Sequence, residues 1–443
     1  MELTVIGAGL AGCEAAWQAA QMGVPVRLIE MKPEKHSPAH QSPLFAELIC
    51  SNSLKAARLE SAAGMLKEEM RRFGSLLMAC ADQCAVPAGG ALAVDRVQFA
   101  QMATEKIQAH PLITVEHREV TEIPKEGSVV IATGPLTADT LAQNLFEMCG
   151  GGLSFFDAAA PIVTAESLDR SLIFAASRYD KGEDDAYLNC PMNQEEYDAF
   201  YEALVTAERA PVHDFDVQNP KVYEGCMPVE VMAQRGKDTL RFGPLKPVGL
   251  RDPRTGHRPW AVVQLRREDA EGTLYNLVGF QTNLKFGEQK RVFGMIPGLQ
   301  NAEIVRYGVM HRNTFLKSPG FLAADYSVLK RPELFFAGQI TGVEGYMESA
   351  SSGILAGRNA ANRLLGKETL ILPRETMMGA LADYVANSPT KDFQPMGANF
   401  GVLPPVDPPI RDKKMRYAEL SRRGLDKLTD ILTDILKQEN EPV

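Results

Sequence analysis

The segment Gly7-Ala8-Gly9-Leu10-Ala11-Gly12 constrains what this chain can fold into more than any other. It follows the apolar run Glu2–Ile6 and precedes an alanine-rich helical pattern from Cys13 to Gln21. A second apolar run, Val24–Glu30, comes next. Strand, glycine turn, helix and strand within about thirty residues make a βαβ unit, the beginning of a Rossmann-like α/β domain. Each glycine has a physical task. Gly7 permits the tight turn, Gly9 lets the backbone approach a pyrophosphate, and Gly12 lets the helix pack closely on the strand. The phosphates then sit at a helix N-terminus, where free N–H groups and the dipole favour an anion. Leu10 and Ala11 complete the loop with Ala8. Glu30 ends the second strand, placed to accept from a ribose 2′-OH.

Farther on, a loop rich in Pro, His and Ser runs from Lys32 to Pro43. Helical patterns then dominate from Phe45 to Phe73 and return at Val97–Ala109. Ser128–Ala132 is a buried strand closed by Thr133-Gly134. After Asp157 the texture changes to strand-like runs, acidic helices and prolines as far as Arg306. Leu334–Gly338 then restores the strand-then-glycine pattern and leads into a helix over Ser349–Leu365. This order predicts a discontinuous dinucleotide-binding domain, residues 1–160 and 310–443, interrupted by an inserted α+β domain at 161–309. In the tail, Arg411, Lys413, Lys414, Arg416, Arg422 and Arg423 precede an amphipathic helix carrying Leu425, Leu428, Ile431 and Ile435. That pattern reads either as a solvated docking helix or as a basic patch for RNA backbone.

Composition narrows the setting. The 443 residues are 45% hydrophobic and 23% charged, with a formal net charge of −9. Such a charge excludes nucleic-acid affinity driven by overall charge but not a local basic surface. The N-terminus lacks a basic region and a long apolar core, and no apolar run is long enough for a membrane span. Seven cysteines without framework density fit a reducing cytoplasm. Cys80 and Cys84 lack a matching second pair, so no metal site is expected. Cys13, Cys149 and Cys190 read as small core residues.

The glycine loop alone leaves FAD and NAD open. Ala132-Thr133-Gly134 resembles the second fingerprint of FAD-dependent two-dinucleotide-fold proteins. The stretch Gly338-Gln339-Ile340-Thr341-Gly342-Val343-Glu344-Gly345-Tyr346 resembles their third. There a helix N-terminus points at the flavin and stabilises negative charge on the reduced ring. Three fingerprints in this order favour FAD, with Gly338, Gly342, Glu344 and Tyr346 in its site. Two cysteines stand in unusual surroundings. Cys50 lies in a polar turn, ELICSNSLK, and Cys226 lies between Gly225 and Pro228. Each reads as a buried structural thiol or, if its thiolate is stabilised, as a nucleophile. His311 reads as a structural or a ligand-facing histidine.

Together these pieces closely resemble one family, the folate- and FAD-dependent tRNA (uracil-5-)-methyltransferases known as TrmFO. The matching stretches run from residue 5 to about residue 400 and include VIGAGLAGCEAAW, ELICSNSLK, VIATGPLT, FGPLKPVGL, RYGVMHRNTF and GVEGYMESA. The resemblance implies a two-dinucleotide-fold flavoprotein related to the glucose-inhibited division protein A family. It implies 5-methyluridine formation at T-loop position 54 of tRNA, with 5,10-methylenetetrahydrofolate as carbon donor and NADH or NADPH as reductant. The chemistry asks for a thiolate at uracil C6 and a base for the C5 proton. The resemblance makes Cys226 the nucleophile and Cys50 the base or second essential thiol, and the roles are exchangeable. It implies His311 against the folate pteridine and Tyr346 beside the isoalloxazine. Partners are then tRNA and folate, with no membrane and no obligate protein partner. A polyanionic substrate calls for a local basic surface, for which Lys285, Lys290, Arg291, Arg306, Arg312 and the 411–423 cluster are candidates. Alternatives are the same chemistry on ribosomal RNA, or a small-molecule flavin oxidoreductase.

Overall fold

The computed structural model describes residues 2–37, 39–150, 152–180, 186–210, 227–389 and 393–440. The wholly buried run Leu3–Ile6 is the central strand of a six-stranded sheet. It pairs in parallel with Val26–Glu30 on one side and with Ser128–Ile131 on the other. Ile113–His117 continues the parallel array beyond the former, and Arg331–Phe336 beyond the latter. Ser327–Val328 closes that edge antiparallel. The strand order therefore reverses direction at Leu3–Ile6, which puts a ligand crevice beyond the carboxyl ends of the strands.

Helix Leu10–Gln21 and helix Tyr346–Leu364 pack on this sheet and on each other. Their approach is set by missing side chains. A Cβ on Gly353 would lie 2.1 Å from Ala11 O, and one on Gly357 would lie 2.4 Å from Ala15 O. Both helices begin a few residues earlier than periodicity indicates, at Leu10 and Tyr346, because their first turns belong to the glycine loops.

A second core lies under another six-stranded sheet, antiparallel throughout, with Tyr187–Met192 and Ala261–Arg267 near its middle. Helix Gln194–Thr206 covers one face, started by a capping box between Asn193 and Glu196. Strands Gly152–Ala158 and Met310–Leu316 pair antiparallel between the two sheets in chain order. The fold is thus α/β with an inserted α+β portion.

One expectation fails. Of Phe45–Phe73, only Ala62–Arg72 is helical, and Ser53–Ala56 is a strand of a small three-stranded sheet. Tertiary partners take the backbone groups that a helix would use. Ala46 N–H donates to Ala8 O at 3.0 Å, and Arg96 binds the Leu48 and Ile49 carbonyls at 2.8 and 3.0 Å. At the other end, helix Lys413–Asn440 begins inside the basic cluster rather than after it. Leu420, Leu425 and Leu428 are buried, and a Cβ on Gly424 would lie 2.4 Å from Glu375 O. No described helix is long and apolar enough to cross a membrane. Among the described residues no cluster of His, Cys, Asp and Glu is able to hold a metal ion.

Candidate active site

At the end of the first strand the chain turns at Gly7, whose φ of +97° suits a residue without a side chain. Gly7 N–H donates to Ile29 O at 2.7 Å, and Ala8 N–H donates to Glu30 Oε2 at 2.6 Å. The other Glu30 oxygen accepts from Lys32 N–H at 3.0 Å. Glu30 therefore braces the loop while keeping acceptor capacity, since a carboxylate has about four lone-pair sites. Helix Leu10–Gln21 starts at Gly9 with neither a side-chain cap nor an acid in its first turn. Its end is left electropositive, as a phosphate site requires.

A cleft opens above this loop. Gly7, Ala8, Gly9, Leu10, Ala11, Glu30, Thr133, Gly134, Gly338 and Tyr346 line it. Three expected residues do not. A Cβ on Gly12 would sit 1.7 Å from Gly7 O, so its role is packing. Gly342, at φ +91°, abuts the Phe393 ring, and Glu344 accepts from Gln339 Nε2. These two shape the late loop rather than the cleft wall. That loop delivers helix Tyr346–Leu364 with Tyr346 and Ser349 at the cleft, so two helix N-termini converge on one space. A glycine floor, an uncapped helix end and a carboxylate at the second strand's end fit a dinucleotide.

Cys50 lines the same cleft. The Tyr346 hydroxyl accepts from Cys50 N–H at 2.8 Å and from Ser51 N–H at 3.3 Å, and lies 3.1 Å from Cys50 Sγ. Burial pushes the Tyr346 phenol well above its ordinary pKa, so it stays protonated. With both N–H groups aimed at its oxygen, its single proton is left for the sulfur.

The turn around Cys50 is held from several sides. Arg96, which binds the two preceding carbonyls, pairs with the buried Glu268 at 2.9 Å. Arg266 rises from the second sheet and donates to Ser51 Oγ at 2.8 Å and to Asn52 Oδ1 at 2.9 Å. Asn52 donates to Val94 O and Arg267 O at 3.0 and 2.8 Å. At the rim, Glu47 accepts from Gln41 N–H at 2.9 Å and pairs with the buried Lys32 at 3.4 Å. His40, also in the cleft wall, is held below its ordinary pKa by burial and by Lys32. Sequence reasoning missed Arg96, Arg266, Lys32, Glu47 and His40, because no local pattern marks them.

His311 belongs to strand Met310–Leu316, opposite Asp157 and two residues before the cleft-lining Asn313. Cys226 lies outside the described residues. Some of the basic candidates are engaged, whereas Arg411, Lys413 and Lys414 are exposed with no carboxylate at ion-pair distance among the described residues. Lys285 pairs with Glu208 and Arg291 with Glu288, each at 2.6 Å. Arg422 pairs with Glu419 and Asp426, and Arg423 donates to the Pro404 and Pro405 carbonyls. Arg306 is half-buried beneath the site. The C-terminal helix docks through its buried Leu420, Leu425 and Leu428.

A model of the family described as "Glucose inhibited division protein A" matches residues 2–368. A protein of Acetivibrio thermocellus named methylenetetrahydrofolate–tRNA-(uracil-5-)-methyltransferase TrmFO is 60% identical over 432 residues, which cover 97% of this chain and 98% of that protein. The proteins of that name from Desulfitobacterium hafniense and Enterococcus faecalis are 62% and 58% identical, over 97% and 98% of this chain and 98% and 99% of theirs. Among solved structures, Aquifex aeolicus GidA superimposes with a TM-score of 0.69 at 17% identity, over 99% of this chain and 79% of that one. This last likeness speaks for the fold.

Proposed function

This chain belongs to the TrmFO family of methylenetetrahydrofolate-dependent tRNA (uracil-5-)-methyltransferases, and from that premise we propose that it makes 5-methyluridine at T-loop position 54. FAD occupies the glycine-floored cleft, 5,10-methylenetetrahydrofolate donates the carbon, and NADH or NADPH supplies the electrons. When bound, the flavin supplies one-carbon transfer and two-electron reduction. The enzyme acts in the cytoplasm. The two cores and the strand pair between them support a division at 1–160, 161–309 and 310–443.

The protein's own residues have defined tasks. A thiolate adds to uracil C6, and C5 then carries the electron pair that attacks the electrophilic methylene. A base takes the C5 proton as the carbon's bond to its carrier nitrogen breaks, hydride originating from NADH or NADPH completes the methyl group, and the sulfur leaves as the C5–C6 double bond returns. Cys226 is the proposed nucleophile and Cys50 the proposed base or second thiol. Tyr346 orients Cys50 through its hydroxyl, and His311 meets the folate. Gly7, Ala8, Gly9, Leu10 and Ala11 receive the pyrophosphate, Glu30 the ribose, and Thr133, Gly134, Gly338 and Ser349 the remainder of the dinucleotide. Gly12, Gly342 and Glu344 act by shaping these loops. The observation that carries this reading is a hydrogen-bonded thiol, Cys50, in the wall of the dinucleotide cleft.

The test is methylation of a tRNA transcript with folate labelled in its methylene carbon, in the presence of FAD and NADH or NADPH. Label is expected in 5-methyluridine at the T-loop. No incorporation overturns the reading, and incorporation into ribosomal RNA alone selects the other substrate. RNA carrying 5-fluorouridine at the target is expected to trap Cys226 covalently. A trap that survives Cys226→Ala but not Cys50→Ala reverses the two roles.

A further inference from the structure

Lys285, Arg291 and Arg422 among the cations expected to guide RNA are ion-paired, and a further stretch of this acidic protein is strongly basic. Residues 235–258 hold seven lysines and arginines against two aspartates, Asp238 and Asp252. Those aspartates are already bound, to Arg241 at 2.8 Å and to Arg254 at 2.7 Å. Lys246, Arg251 and Arg258 have no carboxylate within ion-pair distance among the described residues. Arg251 and Arg258 are exposed and Lys246 is half-buried. Beside them Phe242 is 81% exposed, an unusual position for a ring that size.

The stretch is a firmly seated loop. Leu245 is buried in the second core, and Leu250 packs on Phe174 and Val262. Val262 N–H donates to Leu245 O at 3.1 Å and Tyr179 N–H to Gly249 O at 3.0 Å. Arg241 stacks 3.7 Å above the Trp260 ring and donates to Trp260 O. Strand Ala261–Arg267 then links the loop to the active site. Alternate residues share a face of a strand, so Val262 beneath the loop and Arg266 beneath the Cys50 turn are on one face, about 13 Å apart at ~3.3 Å per residue. That distance is about four steps of a nucleic-acid helix at ~3.4 Å each.

We infer that the Phe242–Arg258 loop is the surface that receives the RNA sugar–phosphate backbone next to the modified uridine, with Lys246, Arg251 and Arg258 meeting phosphates and Phe242 stacking on an unpaired base. This inference rests on the tRNA-methyltransferase reading and deepens it. Unpaired cations beside an exposed ring are what single-stranded or looped RNA recognises. A protein partner would favour a larger apolar area than Phe242 and Val248 offer.

The experiment compares FAD-loaded wild type, the triple variant Lys246→Ala/Arg251→Ala/Arg258→Ala, Phe242→Ala, and the control Lys367→Ala/Lys427→Ala/Lys437→Ala, measuring Kd for a tRNA transcript against salt. Each lost phosphate contact is expected to weaken binding about eightfold near 0.1 M salt and to lower the salt slope by about 0.9. Phe242→Ala is expected to weaken binding about fivefold or more without changing that slope. The control is expected to match wild type. Methyl transfer by the triple variant at saturating tRNA is expected to persist, with KM raised. A triple variant that binds and methylates like wild type overturns the inference while the enzymatic reading stands, and leaves the loop for a protein partner. Wild type that neither binds nor methylates tRNA overturns both.

Discussion

Gly9 and Gly12 stand three residues apart in one loop, yet alanine is expected to fail at them for opposite reasons. Gly9 has φ −72° and ψ −171°, extended backbone that any residue adopts, and a Cβ there meets nothing within 4 Å. Gly9→Ala is therefore expected to fold, and to stabilise the flavin-free protein by ~0.4–1 kcal/mol through the unfolded chain. Its methyl group, however, would enter the cleft that Gly9 lines, where the pyrophosphate is proposed to sit. An extra methyl against a rigid floor costs about 1–3 kcal/mol, or FAD binding weaker by about 5- to 150-fold. At Gly12 the new Cβ would lie 1.7 Å from Gly7 O and 2.9 Å from Gly7 C, both backbone atoms. Helix and strand would have to separate, at a cost of ~3 kcal/mol or more, a large part of a domain's ~5–15 kcal/mol. The assay is thermal unfolding of flavin-free protein, paired with FAD titration of whatever folds. Gly9→Ala is expected to keep or raise the unfolding temperature and lose FAD affinity, whereas Gly12→Ala loses the fold itself. Wild-type FAD affinity in Gly9→Ala, or a stable Gly12→Ala, would refute the assignment of these two glycines.

Three further outcomes follow from buried polar contacts. Tyr346→Phe leaves the Cys50 N–H without its acceptor at 2.8 Å, a loss of ~1–3 kcal/mol. Methyl transfer is expected to fall at least tenfold with KM for tRNA unchanged, and slower alkylation of Cys50 in mass spectrometry checks the cause. Arg266→Met removes the donors to Ser51 and Asn52 and is expected to lower methyl transfer far more than FAD binding, which flavin absorbance per chain would show. Glu69 accepts from Met377 N–H and Met378 N–H, each at 2.8 Å, tying two helices together, and burial raises its pKa to about 8. A folded-state pKa above the unfolded one makes protonation stabilising, so this contribution is full below about 4.5 and fades as pH rises toward 8. The stability advantage of wild type over Glu69→Gln should therefore be largest near pH 5 and shrink toward pH 8. An advantage that grows with pH would contradict it.

The first βαβ unit was legible because its causes are local: an apolar run, three glycines and a helix start within a few residues of one another. The same local reading overextended the helix across residues 45–61. There Ala46, Leu48 and Ile49 find partners at Ala8 and Arg96, too far along the chain for periodicity to register. The close packing of Gly353 and Gly357 on Ala11 and Ala15 was equally hidden, since a glycine in a helical pattern signals only a weak helix until its neighbour is known. Charge patterning alone does not say which cations are paired. In the 411–423 cluster Arg422 and Arg423 are engaged by nearby carboxylates and carbonyls, whereas Arg411, Lys413 and Lys414 are exposed. The less compact set in 235–258 keeps Lys246, Arg251 and Arg258 clear of carboxylates among the described residues.

Cys50 shows where local legibility ends. Its polar turn after an apolar run marked it as unusual, but the turn has no means of holding its own shape. Tyr346 holds it from the helix that faces the cleft, Arg96 from the helix Arg96–Ala109, and Arg266 from the second sheet. The three anchors enter the chain at widely separated points and belong to both cores. A thiol fixed in this way is placed only once both sheets have folded and met. The glycine-floored cleft, built almost wholly by the first core, does not require that meeting. Damage to the second sheet near Arg266 should consequently separate the two properties, leaving a protein that still takes up flavin but has lost the positioned cysteine. The order of dependence follows from the geometry: the first core builds the cleft, and the inserted portion completes the hold on the turn that carries Cys50 in its wall.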